Sequence, residues 1–180
     1  MEIYNIKSPQ DILQYLNEHI TYGWLDINGE IHINNMKNFR KLYRTSSLDE
    51  TLQHGIGTCI EQVYLISYLL NRIGIQNEMY CTRIYEGIDF NNEDEEEHMH
   101  CFVLYYLNDK VYHLEHPNVE KIGIYEYNSL DEALQTINDF YVKMVDGKSR
   151  PITKFYEVKP NLSFKEFNEY INSLDNKKTL

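Results

Sequence analysis

The most regular pattern of apolar positions along the chain follows Cys59. Apolar side chains recur there at intervals of three or four residues, which predicts an amphipathic helix over residues 58–73. Thr58 and Glu61, three positions later, form a capping-box pattern, and Gly74 is a typical helix stop. Cys59 would therefore occupy the first helical position. The apolar stripe that would anchor this helix in a core consists of Val63, Ile66, Leu70 and Ile73.

Further helices and strands are predicted on both sides of this helix. Capping residues and helical spacing favour helices over residues 8–19, 47–53, 129–145 and 163–174. Runs of β-branched and aromatic residues favour strands over residues 75–85, 100–107, 110–115 and 152–158. Residues 22–33 are predicted as loop, turn and short strand, and the acidic run 93–97 as a solvated loop. Together these elements predict an α+β fold in which helices pack on an antiparallel sheet.

The composition favours one acidic globular domain spanning residues 1–180. At 42% hydrophobic residues, the chain has enough apolar material for a core. Its net charge of -11 disfavours nucleic-acid phosphates and anionic membrane faces, so neither is an expected partner. No segment approaches the roughly 18 apolar residues of a membrane span, and the N-terminus has no signal-peptide pattern.

The three cysteines are expected to be free thiols. An odd number without paired spacing argues against a disulfide framework and fits a reducing cytoplasm, the expected location. Cys59 could be a small buried hydrophobe, which is the usual state of a cysteine. Its position at a helix start favours the thiolate instead, because unpaired N–H groups and the helix dipole lower a thiol pKa there. Gly55 and Gly57 would leave room beside the sulfur, so Cys59 is a candidate nucleophile if a base can reach it.

A predicted hairpin supplies that base and a residue to orient it. A two-residue turn would pair Leu107 with Lys110, which places Phe102 opposite Glu115. His100 shares a face with Phe102, so His100 and Glu115 would be diagonal cross-strand neighbours. Glu115 could then accept a hydrogen bond from one imidazole nitrogen and leave the other free for a thiol.

Two alternatives compete with this interpretation. His98 lies on the same face by parity but further from Glu115, and His113 on that face is expected to be structural. A metal site could instead be built from the acidic run and from His98, His100, His113, His116 and Cys101. No CxxC or HExxH spacing is present, so neither a metal nor another cofactor is expected.

Two segments resemble the transglutaminase-like superfamily, a branch of the papain-like thiol enzymes. GIGTCIEQVYLISYLLNRIGIQNEMY (55–80) is similar to that family's glycine, cysteine, apolar helix, turn and strand. HCFVLYYLNDKVYHLEHPN (100–118) is similar to its histidine strand, tight turn and second strand ending in an acid and a proline. The resemblance implies a papain-like core over about 20–118 and a C-terminal elaboration over about 119–180.

The same resemblance implies roles for individual residues. Cys59 would be the nucleophile, His100 the base and Glu115 the orienting acid, where the family usually has the shorter Asp. An oxyanion hole would use the backbone N–H of Cys59 and a side chain well upstream, for which Trp24 is the candidate. Trp24 could equally serve core packing, and the amide of Gln53 is a further candidate donor.

The expected chemistry is acyl transfer through a thioester on a peptide, protein or small amide substrate. Hydrolysis by a peptidase or amidase is favoured, because the chain lacks a D-x-D-x-D-G calcium loop and the extra domains of calcium-regulated transglutaminases. Transfer to an amine is the alternative reaction. A non-catalytic binding module on the same fold is the alternative function. The sequence does not predict the oligomeric state.

Overall fold

The computed structural model describes residues 2–86 and 97–175, and these form an α+β protein. The elements in chain order are α1 (Pro9–His19), β1 (Thr21–Asp26), β2 (Ile31–Ile33), α2 (Phe39–Leu42), β3 (Tyr43–Arg44), α3 (Leu48–His54), β4 (Ile56–Gly57), α4 (Cys59–Arg72), β5 (Asn77–Tyr85), β6 (Glu97–Leu107), β7 (Lys110–Glu115), β8 (Gly123–Tyr127), α5 (Leu130–Val145), β9 (Lys148–Ser149), β10 (Thr153–Phe155) and α6 (Phe164–Asp175). A short 3-10 turn, Ile3–Asn5, precedes α1. None of the helices described is long and apolar enough to cross a bilayer.

The larger sheet is antiparallel, with strand order β10-β5-β6-β7-β8 and β9 paired with the outer edge of β5. The β6–β7 hairpin has the predicted register, because Leu107 pairs with Lys110 and Val103 with Leu114. Asn108 and Asp109 both have positive φ, as a tight hairpin turn requires. These two turn residues set the register of the hairpin and therefore determine which side chains of β6 and β7 share a face.

A smaller sheet lies before the central helix. β1 pairs antiparallel with β2 and β3, and parallel with the two-residue β4. The parallel register sets Tyr22 beside Gly57. This pairing ties the N-terminal part of the chain to the backbone immediately before Cys59.

The core has two parts, one on each face of the larger sheet. On one face α4 packs its predicted stripe, including Val63, Ile66 and Leu70, against inward side chains of β5 and β6. On the other face α5 covers Tyr80, Phe102 and Leu104, among others, with side chains at helical spacing. The α5 residues buried there are Ala133, Ile137 and Tyr141.

Most predicted elements are present, with several corrections. The strand predicted over 152–158 contains only residues 153–155, and the short elements α2, β3, β4 and β9 and the strand β8 were not predicted. Glu97, assigned by its sequence to a solvated loop, is a buried strand residue whose carboxylate accepts hydrogen bonds from Tyr85 and Asn168. Those two partners stabilise the buried carboxylate, which the charge pattern alone did not indicate. The rest of the acidic run lies outside the described residues.

Candidate active site

Cys59 is the first residue of α4, and a network around Glu61 holds it there. The predicted capping box is confirmed: Thr58 accepts from the first turn, and its backbone N–H donates to Glu61 at 2.9 Å. The same buried carboxylate accepts from the Tyr43 hydroxyl at 2.6 Å and from the Ser46 N–H at 3.1 Å. Glu61 therefore fixes the start of α4 to the segment around β3 as well as capping the helix.

The two glycines before Cys59 are required for different reasons. Gly55 ends α3 with φ of 63°, a left-handed conformation that favours glycine. At Gly57 the constraint is space, because a Cβ there would lie 2.9 Å from the Cβ of Glu61. Gly57 thus allows the backbone of β4 to pack directly on the first turn of α4.

His100 and Glu115 form the contact that the hairpin register predicts. Nε2 of His100 lies 2.8 Å from Oε2 of Glu115, and both side chains are buried. Glu115 is 1% exposed, and its other oxygen accepts from the backbone N–H of Asn118 at 3.0 Å. Nε2 of His113 lies 3.2 Å from the Glu115 oxygen that contacts His100. The carboxylate is thus held in place from several sides, and Nδ1 of His100 is left for another partner.

The residue on the other side of His100 is Cys59 of α4, which lies beside the end of the hairpin. β7 ends at Glu115 whereas β6 extends back to Glu97, so residues 97–101 of β6 pair with β5 but have no partner in β7. His100 thus lies beyond the part of β6 that pairs with β7, where it shares the wall of one cleft with Cys59. The two side chains are close enough for each to shift the pKa of the other.

These contacts set the charges of the three groups. The hydrogen bond with the Cys101 thiol, followed by the hydrogen bond and charge of His100, outweighs burial and holds the pKa of Cys59 well below its usual range. Burial alone would lower the pKa of His100, but the charge of Glu115 and hydrogen bonds to Cys59 and Glu115 raise it to about 10. The pKa of Glu115 is lowered despite its burial, mainly by the charge and hydrogen bond of His100. All three shifts favour the charged forms, which are thiolate, imidazolium and carboxylate.

Helix α5 also contributes to this site. The Tyr141 ring stacks on the His100 ring with centroids 4.2 Å apart, and its hydroxyl lies 3.5 Å from Oε2 of Glu115. Asn118 donates to the same hydroxyl at 3.3 Å. Tyr141 thus restricts the imidazole plane from the face of the sheet that α5 covers. The helical spacing of 129–145 predicted the helix, but its packing over His100 could not be predicted from that spacing.

A cleft of about 490 Å³ opens beside Cys59 and His100. Cys59 is 8% exposed and lines this cleft together with His100. Apolar side chains dominate the wall, together with the polar groups of Asn34, Arg40, Glu97 and Asn118. The apolar lining residues outside the Cys–His pair include Met36, Phe39, Ile84, Met99, Val119, Met144 and Phe164.

The structure does not support the two side chains predicted for the oxyanion hole. The indole N–H of Trp24 donates to the Asn35 carbonyl at 2.8 Å, and its buried ring stacks on His32. Gln53 is exposed on α3 and does not line the cleft. Trp24 therefore serves packing, which was the alternative interpretation, and neither donor is available to a group bound at Cys59.

Tyr22 lies two residues before Trp24, in the stretch upstream of Cys59 where an oxyanion donor was expected, and it lines the cleft. Its pairing with Gly57 brings it near Cys59, and its pKa is raised by burial and by the negative charges of Cys59 and Glu61. The hydroxyl therefore keeps its proton and can donate. The parallel β1–β4 pairing places Tyr22 here. Because β4 has only two residues, this pairing could not be predicted from the sequence.

The remaining candidate residues lie around or outside the site. His98 is exposed with Nε2 3.3 Å from Oε1 of Glu86, so the β6 histidine beside Glu115 is His100. His116 turns to the other side, where its Nδ1 lies 2.6 Å from Oε1 of Gln62. In the described part of the chain, the ligand-type side chains that converge within 4.8 Å are Asp26, Glu30 and His32, and none of them lines the cleft.

Comparison with known proteins adds no assignment to this geometry. No protein-family model matches the chain, and no curated protein matches it. The function must therefore be argued from the site itself.

Proposed function

We propose that this protein is a cysteine-dependent acyl-transfer enzyme with a papain-like, transglutaminase-like core, and that it hydrolyses amide bonds. The observation that carries the proposal is that Cys59 and His100 lie in the wall of one cleft, with Nε2 of His100 2.8 Å from the Glu115 carboxylate. Nucleophile, base and orienting acid in this order are the arrangement that covalent catalysis requires. A binding module would not require a buried, charged thiolate–imidazolium pair beside its cleft.

In the proposed reaction the Cys59 thiolate attacks the substrate carbonyl and forms a tetrahedral intermediate. Imidazolium His100 donates its proton to the leaving amine, and the C–N bond breaks to give a thioester. Neutral His100 then takes a proton from water as the water attacks the thioester carbonyl, which releases the acid and restores the thiolate. Glu115 stays ionised throughout and holds the imidazole with Nδ1 towards the sulfur.

The oxyanion of each intermediate would be stabilised by two donors. The backbone N–H of Cys59 lies at the start of α4, where no intrahelical acceptor is available to it. The second donor is the Tyr22 hydroxyl, which reaches the cleft from β1 and stays protonated beside the thiolate. This assignment replaces both Trp24 and Gln53 with a tyrosine.

The cleft favours a substrate with a bulky apolar group near the scissile carbonyl. Its apolar lining extends from Phe39 and Ile84 to the methionines at 36, 99 and 144. Flexible thioether side chains adapt to apolar groups of different shape. A charged group bound there would lose hydration without gaining an equivalent partner.

Acylation of Cys59 is the direct test of this function. The full chain is mixed with p-nitrophenyl esters of acetate, hexanoate and succinate, and the acyl-enzyme is detected by a burst of nitrophenolate and by intact mass. We expect a burst that is fastest with hexanoate and absent in Cys59→Ala. Cys81→Ala is the matched control, because Cys81 is buried away from the cleft and should leave the burst intact.

Amide turnover then separates the possible reactions. Peptidyl aminomethylcoumarins with Leu or Phe before the scissile bond should be cleaved faster than those with Glu or Lys. Release of coumarin that requires an added amine would replace hydrolysis with acyl transfer to amines. Absence of any acyl-enzyme on Cys59, with esters and amides alike, would contradict the enzyme proposal and favour a binding module.

A further inference from the structure

Two consecutive residues at the end of β7 make contacts on opposite sides of the larger sheet. Glu115 turns towards β6, where its carboxylate lies 2.8 Å from Nε2 of His100. His116, the next residue, turns towards α4, where its Nδ1 lies 2.6 Å from Oε1 of Gln62. Neighbouring side chains of an extended chain point to opposite sides, so this dipeptide reaches both the proposed base and the helix that begins with the nucleophile.

The buried Gln62 side chain extends the His116 contact to the backbone just before the nucleophile. Its Nε2 donates to the Gly57 carbonyl at 2.8 Å. A carbonyl can only accept, so the Gln62 amide must present its NH₂ to Gly57 and its oxygen to His116, whose Nδ1–H therefore donates. Burial lowers the pKa of His116, so the ring is neutral at neutral pH. The two hydrogen bonds form a bridge from His116 through Gln62 to Gly57.

Gly57 is the residue through which this bridge meets the site. It lies two residues before Cys59, and its pairing in β4 sets it beside Tyr22, the proposed oxyanion donor. A Cβ on Gly57 would lie 3.3 Å from Cγ of Gln62, so the glycine packs directly on this side chain. A shift of Gly57 would therefore move both the nucleophile and the oxyanion donor.

We propose that His116 is a positioning residue that acts through Gln62 and holds the nucleophile beside its base. The proposal rests on the proposed function, since it concerns the geometry of the same reaction. Neither His116 nor Gln62 lines the cleft, so the bridge acts through the backbone rather than on the substrate. A displacement of about 1 Å between reacting groups can cost about a hundredfold in rate, which sets the scale of the expected effect.

The test measures alkylation of Cys59 by iodoacetamide in the full-length protein between about pH 5 and pH 9, with the product mapped by peptide mass spectrometry. His116→Leu and Gln62→Met each remove the bridge, and each should slow the reaction at pH 6 by roughly ten- to a hundredfold, because only the thiolate reacts and its imidazolium partner is displaced. General loosening of the fold would instead expose the thiol and speed its alkylation.

Two further variants show whether the hydrogen bond itself is responsible. His116→Asn keeps an N–H donor close to the position of Nδ1 and should recover most of the rate lost in His116→Leu. His54→Leu is the matched control, because His54 is exposed on α3, and it should leave the rate unchanged.

The double variant distinguishes a bridge from two independent contacts. If His116 acts through Gln62, then His116→Leu combined with Gln62→Met should be no slower than the slower single variant, because each substitution breaks the same connection. Acylation by p-nitrophenyl hexanoate should lose rate at saturating ester with little change in the half-saturating concentration, since neither residue touches the cleft.

Gln62→Met and His116→Asn decide the proposal even if His116→Leu fails to fold. A folded variant without the bridge that keeps the wild-type pH profile would overturn it, and so would single effects that multiply in the double variant. An activated Cys59 without any acyl-enzyme would reject the amidase proposal alone, because alkylation needs no amide substrate. An ordinary thiol titration in wild type would reject both proposals.

Discussion

Replacing Glu115 by glutamine tests the electrostatic basis of the site, because it removes the charge and keeps the side-chain size. The imidazolium of His100 owes its pKa of about 10 largely to this carboxylate, whose oxygen lies 2.8 Å from Nε2. A unit charge at about 4 Å contributes about 4 kcal/mol at an effective dielectric of 20, equivalent to about a thousandfold in proton affinity. The substitution should therefore lower the pKa of His100 from about 10 to about 7.

Glu115→Gln therefore destabilises the thiolate–imidazolium form by the same energy, relative to the neutral thiol–imidazole form. In addition, a glutamine NH₂ facing His100 would need an unprotonated Nε2 as acceptor, which places the remaining proton on Nδ1 towards the sulfur. We expect alkylation of Cys59 by iodoacetamide at pH 6 to slow by roughly ten- to a thousandfold, since only the thiolate reacts.

The assay is the rate of alkylation against pH in a background where Cys81 and Cys101 are serine. The same proteins with Cys101 retained serve as the reference. Glu126→Gln is the control: it makes the same change on the neighbouring strand β8, where the carboxylate is exposed and accepts from Tyr112. Wild type and Glu126→Gln should be reactive well below neutral pH. An alkylation profile unchanged in Glu115→Gln would refute the argument that Glu115 maintains the ion pair.

Three further predictions concern other parts of the site. Tyr22→Phe should slow acylation by p-nitrophenyl esters about a hundredfold through loss of an oxyanion donor, yet leave iodoacetamide alkylation unchanged, because alkylation forms no oxyanion. Gly57→Ala should lower the free energy of unfolding in urea by about 1–3 kcal/mol, since its Cβ would lie 2.9 Å from the Glu61 Cβ, whereas Gly123→Ala, with contacts no nearer than 3.5 Å, should have little effect. The pKa of Glu115 is lowered on folding, so its stabilising contribution is complete above its unfolded value of about 4.3 and is lost as pH falls towards its folded value. The stability advantage of wild type over Glu115→Gln in urea should therefore shrink below about pH 4, and an advantage that grows on acidification would show the opposite sign.

The sequence by itself determined the elements whose causes are local. The capping box and apolar spacing predicted α4 with Cys59 at its first position, because a helix start depends on side chains a few residues apart. The turn at Asn108-Asp109 predicted the hairpin register, and the alternation of strand side chains then brought His100 to Glu115. The His100–Glu115 pair could be predicted because one short turn fixes the register of both strands.

Only the tertiary structure decided which other groups surround that pair. Tyr22 reaches the cleft through a two-residue parallel pairing, and Tyr141 stacks on His100 because α5 covers that face of the sheet. The packing role of Trp24 is also a tertiary feature, since the acceptor of its N–H, the Asn35 carbonyl, lies in a different segment of the chain. Cys59 and His100 come together in the wall of one cleft, although they belong to a helix and a strand 41 positions apart in the chain. Contacts of this kind depend on where elements end and how they pack, and periodicity along a chain carries no information about either.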